Sequence, residues 1–374
     1  MDSYQTFCDV TNLYFAAINY RILGIIGISI AALLLILFSY RRIAKKTSPS
    51  CTEKETIAPP DTELYVANMG GHSILGFNRN LSGTVVSPPV RILKGPCTGL
   101  KNPFDVAIDS SGQIWVANLG DPPGTNPSIT IFEANVTGNT APLLTVPLSG
   151  ITGNLLPGSL ARRSSSGSFV LAISNNDSIS ECSIASGATH GLILSGAQTQ
   201  IINPTGIAYN ANQLFVATSS LPLIFGLYQI PNPPESAILI FDLQQGGGFN
   251  PIPAAMIAGD NTGLANPAHI CFDDHGKLYV ANRGIPPSDN AVSITVYALG
   301  QTGNTPPVKM IHGPNTSLNQ SGSPYGISVD SDGNIYVSSQ NSVLFFEAVA
   351  NGNATPAQVI TDPEISSPIG LAVR

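Results

Sequence analysis

From about residue 61 the chain is written in short apolar runs separated by turns. In NPFDVAIDSSGQIWVAN (102–118) two such runs flank a D-S-S-G turn, which predicts a pair of antiparallel strands. The same arrangement returns in NPAHICFDDHGKLYVAN (266–282) and SPYGISVDSDGNIYVSS (323–339). Strands of the form apolar-aromatic-V-A-N recur six times, at 64–68, 114–118, 169–173, 214–218, 278–282 and 335–339. A second column precedes the turn: PFDVAID (103–109), PGSLARR (157–163), PTGIAYN (204–210), PAHICFD (267–273), PYGISVD (324–330) and PIGLAVR (368–374).

The two columns are out of step. The first V-A-N strand has no partner before it, and PIGLAVR has none after it. Pairing these two would close a ring and leave neither as an open edge. Spacings of 45 to 64 residues between V-A-N strands suit four short strands per unit. The innermost strands are continuously apolar, as expected where a sheet is covered on both faces. In the D-x-x-G turns, Asp109, Asp273 and Asp330 should bond backbone N–H groups while Gly takes positive φ. The run at Asp330 lacks the third acidic ligand and the distant Glu of a calcium loop, so it is read as a turn.

A third strand follows in each unit (SITIFEA 128–134, SAILIFD 236–242, SITVYAL 293–299, SVLFFEA 342–348), then G-N-T-A-P, G-N-T-P-P or G-N-A-T-P and an outer strand. This sequence of motifs resembles the NHL-repeat, TolB-like six-bladed propellers over nearly all of 61–374. The resemblance implies an all-β, six-bladed β-propeller. It leaves function open, because that superfamily spans lactonases, lyases and pure binding modules.

Ahead of the repeat, residues 22–39 (ILGIIGISIAALLLILFS) are uncharged and would reach about 27 Å as a helix, close to the hydrocarbon thickness. The expected organisation is an N-terminal tail (1–21), one transmembrane helix (22–40), a basic then polar linker (41–60) and the propeller (61–374). A signal peptide fits poorly, because RRIAKK stands where a small-residue cleavage site would be. Arg41, Arg42, Lys45 and Lys46 outweigh Arg21 on the leading side, so flanking charge favours a cytoplasmic propeller. The six N-x-S/T sequons carry no sidedness information in a chain so rich in Asn, Ser and Thr.

Composition narrows the partners. Charged residues make up 10% of the chain, against roughly 25% in ordinary globular proteins, while Gly (36) and Pro (30) are abundant. Residues 1–60 carry 6 Lys+Arg against 4 Asp+Glu; the rest carries 10 against 19. An acidic body disfavours nucleic acid. Five widely spaced cysteines without C-x-x-C predict neither a zinc site nor a disulfide framework, and Cys271 reads as a small buried hydrophobe.

Candidate chemistry sits where the strands after each Pro begin and the V-A-N strands end, since those ends converge on one mouth of the axial channel. The gluconolactonase-like relatives place Asn or Asp metal ligands directly after the Pro. Here Phe104, Gly158, Thr205, Ala268, Tyr325 and Ile369 occupy those positions, so no metal and no other cofactor is expected. One place further on, Asp105 and His269 are the strongly polar residues, three units apart and facing across the axis.

Asp105, His269, Phe104, Tyr325, Asn118 and Asn282 form the predicted ligand-binding set, with no catalytic residue assigned. Asn68, Asn118 and Asn282 suit a strand-end capping role better than a ligand contact. Pro-rich loops at 119–128, 219–236 and 283–292 would wall this rim. The chain is thus read as a membrane-anchored binding or scaffold module for a protein or small polar ligand. Lactonase, ester hydrolase or lyase activity is the alternative, and a structural envelope or virion membrane component is a third reading.

Overall fold

The computed structural model describes residues 51, 55–56, 63–79, 85–86, 88–148, 157–162, 169–173, 177–183, 189–219, 236–242, 250–285, 288–319 and 324–374. The predicted transmembrane helix, most of the linker and the greater part of the 219–236 loop lie outside these residues. Among the described residues no helix is long and apolar enough to cross a membrane.

The fold is an all-β propeller. Sheet 1 takes Glu63–Asn68, Ser73–Asn78 and Arg91–Lys94, with Pro368–Val373 on its inner side. Sheet 2 is Pro103–Ile108, Ile114–Asn118, Ser128–Phe132 and Leu144–Pro147; sheet 3 is Pro157–Arg162, Phe169–Ile173, Ser178–Ser183 and Thr189–Leu194. Sheet 4 is Pro204–Asn210, Gln213–Thr218, Ala237–Asp242 and Ala255–Ala258; sheet 5 is Pro267–Phe272, Leu278–Ile285, Ser288–Tyr297 and Lys309–His312. The first and last parts of the chain meet as the column offset requires: Leu64 pairs with Val373, Val66 with Leu371 and Asn68 with Pro368.

Among the described residues five sheets, not the expected six, have four strands; one more has five, and Glu55–Thr56 with Val136–Thr137 form a two-stranded sheet. Ile327–Val329, Ile335–Ser339, Ser342–Phe346 and Gln358–Thr361 carry a fifth strand, Val85–Val86, parallel to the outer edge. The physical reason is edge protection. Outer strands present unpaired N–H and C=O groups, and a segment of the following sheet covers them. Gly138 bridges Leu93, Gly303 bridges Ile257 and Gly352 bridges Ile311, each in parallel. Val85–Val86 of sheet 1 does the same for Ile360–Thr361, so the ring is clasped on its outside as well as its inside.

The G-N-x-x-P motif supplies a second fastening. Asn139 Oδ1 accepts Cys97 N at 2.9 Å, Asn304 Oδ1 accepts Asn261 N at 2.8 Å, and Asn353 Oδ1 accepts Asn315 N at 2.8 Å. Each asparagine thereby holds the turn that ends the preceding sheet.

The apolar core lies between consecutive sheets rather than in one mass. Trp115, Ile129 and Val146 meet Leu160; Leu194 and Ile201 meet Ile207 and Leu239; Tyr336, Val343 and Ile360 meet Leu64, Leu75 and Phe77. Burying one such Leu, Ile or Val contributes about 1.5–3 kcal/mol, and each sheet needs both neighbours to realise it.

The D-x-x-G turns form as predicted. Asp109 Oδ1 accepts Ser111 N and Gln113 N, Asp273 Oδ1 accepts His275 N and Lys277 N, and Asp330 Oδ1 accepts Asp332 N and Asn334 N. The second carboxylate oxygen receives the aromatic of the next strand: Trp115 Nε1 at 3.3 Å, Tyr279 OH at 3.2 Å and Tyr336 OH at 3.3 Å. One Asp thus fixes both turn and strand.

Two further expectations are corrected. Cys51 and Cys97 form a disulfide, although 46 residues separate them and no local motif announces it. The predicted loop 283–292 is largely a hairpin, since Arg283 pairs with Val292 and Ile285 with Ser288. Its length is ladder, not slack.

Candidate functional site

The first strands of consecutive sheets touch around a full circuit, from Pro368–Val373 through Pro103–Ile108, Pro157–Arg162, Pro204–Asn210, Pro267–Phe272 and Ile327–Val329 back to Pro368–Val373. Their third positions are Asp105, Ser159, Gly206, His269, Gly326 and Gly370. The glycines set how closely this circuit is drawn. A Cβ on Gly370 would stand 2.6 Å from Asp105 Cα, one on Gly326 2.1 Å from Ile369 O, and one on Gly206 2.8 Å from His269 Cα.

Across this narrow axis Asp105 and His269 meet. His269 Nε2 lies 3.3 Å from Asp105 Oδ2 and 3.1 Å from Ser159 Oγ. Asp105 is buried, and its oxygens also accept Val106 N at 2.9 Å and Leu160 N at 2.6 Å. The carboxylate is therefore occupied by two backbone donors and the imidazole, and the three side chains bridge the channel. Sequence reasoning placed Asp105 and His269 opposite one another; it did not see that they would touch, or that Ser159 would join them.

This geometry is unlike a hydrolytic triad. There the base faces the nucleophile with one ring nitrogen and donates from the other to the carboxylate. Here Ser159 and Asp105 share Nε2, while His269 Nδ1 is buried without a hydrogen-bond partner. One nitrogen cannot accept the serine proton and donate to the aspartate at once. Among the described residues no group of three or more His, Cys, Asp or Glu side chains is gathered where a metal ion could be held.

Asn118 and Asn282 are buried and engaged. Asn118 Oδ1 accepts Lys101 N at 3.1 Å and Nδ2 donates to Thr130 Oγ1 at 3.0 Å; Asn282 Oδ1 accepts Ala265 N at 3.1 Å and Nδ2 donates to Thr295 Oγ1 at 3.0 Å. Asn68 repeats the pattern with Ser366 N and Ser73 Oγ. These asparagines join the third strand of a sheet to the segment entering its first strand, which is the capping role.

The Asn of the Asn-Pro pairs went unread in the sequence. Asn102 Nδ2 donates to Gly120 O at 2.7 Å and Asn266 Nδ2 to Gly284 O at 2.6 Å, each holding the rim segment that leaves its own sheet. Their φ values of 49° each suit asparagine, which tolerates the left-handed region better than most residues.

Above the polar bridge lies an apolar collar. Phe104, Leu119 and Ile369 are buried together, with Met69 and Tyr325 half-buried against them. The Arg283 guanidinium stacks over the Tyr325 ring, 5.0 Å from its centroid, and burial pulls its pKa below the ordinary guanidinium value while the neighbouring Tyr325 opposes that shift. Of these six residues, Met69, Tyr325 and Arg283 are partly exposed at the mouth.

Fold and site together define a β-propeller whose channel is bridged by side chains. Comparison with solved structures agrees. The chain resembles a chain of the nidogen/laminin complex (TM-score 0.59, 16% identity, 83% of this chain and 98% of that one). It also resembles a protein of unknown function from Bacteroides caccae (TM-score 0.53, 10% identity, 83% and 98%) and a functionally unknown protein from Desulfotomaculum acetoxidans (0.51, 14%, 87% and 90%). At these identities the likeness is one of fold. No protein-family model matches the chain, and no curated protein matches its sequence.

Proposed function

We propose that the chain is a six-bladed, NHL-type propeller, anchored in a membrane by residues 22–40, that acts as a non-catalytic module binding a protein through the mouth around Tyr325. The blade count takes the five-stranded sheet as the sixth blade, its extra strand being the edge cover donated by sheet 1. The observation that carries the reading is the sharing of His269 Nε2 by Asp105 and Ser159, which departs from the Ser-His-Asp relay of an ester hydrolase, where serine and carboxylate take different ring nitrogens. With the channel bridged beneath it, the partly exposed Met69, Tyr325 and Arg283, seated on buried Phe104, Leu119 and Ile369, are the surface left to a partner. A fold neighbour solved within a nidogen/laminin complex is consistent with protein recognition on this scaffold.

The test is site-specific photo-crosslinking on the full chain in membranes. A crosslinker at Met69 should capture one protein partner, and Arg283→Ala or Tyr325→Ala should reduce that capture at least tenfold. A crosslinker at Leu299, on a turn between the third and outer strands at the opposite end of the sheet, should capture none. Capture untouched by either substitution overturns the assignment of the mouth. Hydrolysis of model lactones or esters that Ser159→Ala abolishes would replace binding with catalysis.

A further inference from the structure

A short strand that precedes sheet 1 in the chain lies at the outer edge of the ring. Glu55–Thr56 pairs antiparallel with Val136–Thr137, which itself lies beside the outer strand of sheet 1 through Thr137 Oγ1 and Ile92 N at 3.2 Å. Four residues before this short strand, Cys51 is joined to Cys97, with Cα atoms 5.6 Å apart, inside the range an unstrained bridge accepts. Cys97 is no loose end. Its N–H is held by Asn139 Oδ1 at 2.9 Å, and the turn it occupies closes through Thr98 Oγ1 to Gly95 O at 2.7 Å. The disulfide therefore fixes Cys51, like Glu55–Thr56 after it, to an already braced part of sheets 1 and 2.

Cys271 behaves in the opposite way. Burial pushes the Cys271 pKa far up, with Asp273 adding to it, so little reactive thiolate forms there. Of these three cysteines, two are joined and Cys271 is held as the thiol.

We infer that the propeller works in an oxidising compartment, where Cys51–Cys97 closes a redox-controlled strap, made of Cys51 and Glu55–Thr56, on the outer edge of sheets 1 and 2. Closing it removes two protons and two electrons from the two thiols. A disulfide-bearing oxidant accepts them and leaves as its dithiol. In a reducing cytosol the glutathione pool would hold both thiols free. The assignment puts the propeller on the side opposite to the one favoured by Arg41, Arg42, Lys45 and Lys46, a rule of short loops that large translocated domains override. The side of the membrane, unlike the disulfide, rests on the membrane-anchor reading.

The experiment uses the full chain in membranes of its own host, alkylated with N-ethylmaleimide before lysis and digested without reductant. Mass spectrometry should find one linked peptide pair containing Cys51 and Cys97, and Cys51→Ser should leave Cys97 alkylated. Both cysteines carrying N-ethylmaleimide overturns the compartment and the strap together. In the purified full chain, hydrogen exchange at Thr56, Val136 and Thr137 should quicken at least tenfold on reduction and be equally fast in Cys51→Ser without reductant. Unchanged protection overturns the strap. Recovery of the linked pair from a soluble fraction would retire the membrane anchor while leaving the disulfide standing.

Discussion

His269 Nε2 lies 3.3 Å from Asp105 Oδ2 although 164 residues separate them and their strands belong to sheets on opposite sides of the ring. Contact across a propeller axis requires the inner strands to be drawn close together. Glycine at three of the six third positions permits this, and the closing strand Pro368–Val373 locks it. The polar bridge and the closure of the ring are thus one feature seen from two directions.

Asp105→Asn tests the bridge. The carboxylate accepts on both oxygens, from Val106 N and Leu160 N, whereas a primary amide accepts on one. Whichever way Asn turned, one buried N–H would face an NH2 group, costing about 1–3 kcal/mol. Urea denaturation of the full chain should read a loss in that range. Wild-type stability would mean that the two backbone bonds are not made.

Gly370→Ala tests the approach of the strands. The new Cβ would meet Asp105 Oδ1 at 2.0 Å and Asp105 Cα at 2.6 Å. A side chain could swing aside, but the Cα cannot, so the overpacking should cost about 1–3 kcal/mol or more. Adding Asp105→Ala should fail to restore stability. Restoration by that second change would place the obstruction in the carboxylate alone.

Much of this was legible in the sequence, for identifiable reasons. The D-x-x-G turns and the strands around them are local, and Asp109, Asp273 and Asp330 fold as their spacing demands. The column offset sufficed to pair Leu64 with Val373, because closure is a property of the repeat. The column of third positions already contained Gly206, Gly326 and Gly370; reading only its polar members hid that an axis lined by glycines would be narrow enough for Asp105 and His269 to touch. Cys51 and Cys97 were illegible for a different reason. Nothing near either cysteine encodes the pairing of Glu55–Thr56 with Val136–Thr137, which brings Cys51 back along the outer edge. Asn102 and Asn266 were visible in their Asn-Pro pairs, but their bonds to Gly120 O and Gly284 O depend on a rim segment folding back.

Glu63 and Arg91 form a buried pair whose removal should be costly in one direction only. Arg91 Nε donates to Glu63 Oε1 at 2.7 Å, Nη2 to Oε2 at 3.1 Å, and Nη1 to Val136 O, with both side chains closed to solvent. Glu63→Ala strands a buried guanidinium and should lose about 3–5 kcal/mol. Replacing both residues, Glu63→Leu with Arg91→Met, should recover more than half of that loss in the same urea titration. A double variant as unstable as the single one would show that the bond to Val136 O, not the ion pair, holds sheet 1 to sheet 2.

Asp109 gives the fold an acid-sensitive turn. Burial alone would raise its pKa, but hydrogen bonds from the Ser111 hydroxyl, Gln113 N, Trp115 Nε1 and Ser111 N outweigh it and hold the carboxyl below 3.8. A carboxyl whose folded pKa lies below its unfolded one stabilises the fold fully above the unfolded value, and that contribution is lost as pH falls through the folded one. The window therefore opens near pH 3.8 and runs downward. Asp109→Asn should melt below wild type at pH 6, and the gap should narrow as melting is repeated from pH 4 towards pH 2. A constant gap across that range would mean that the turn is held by the shape of the side chain and not by its charge.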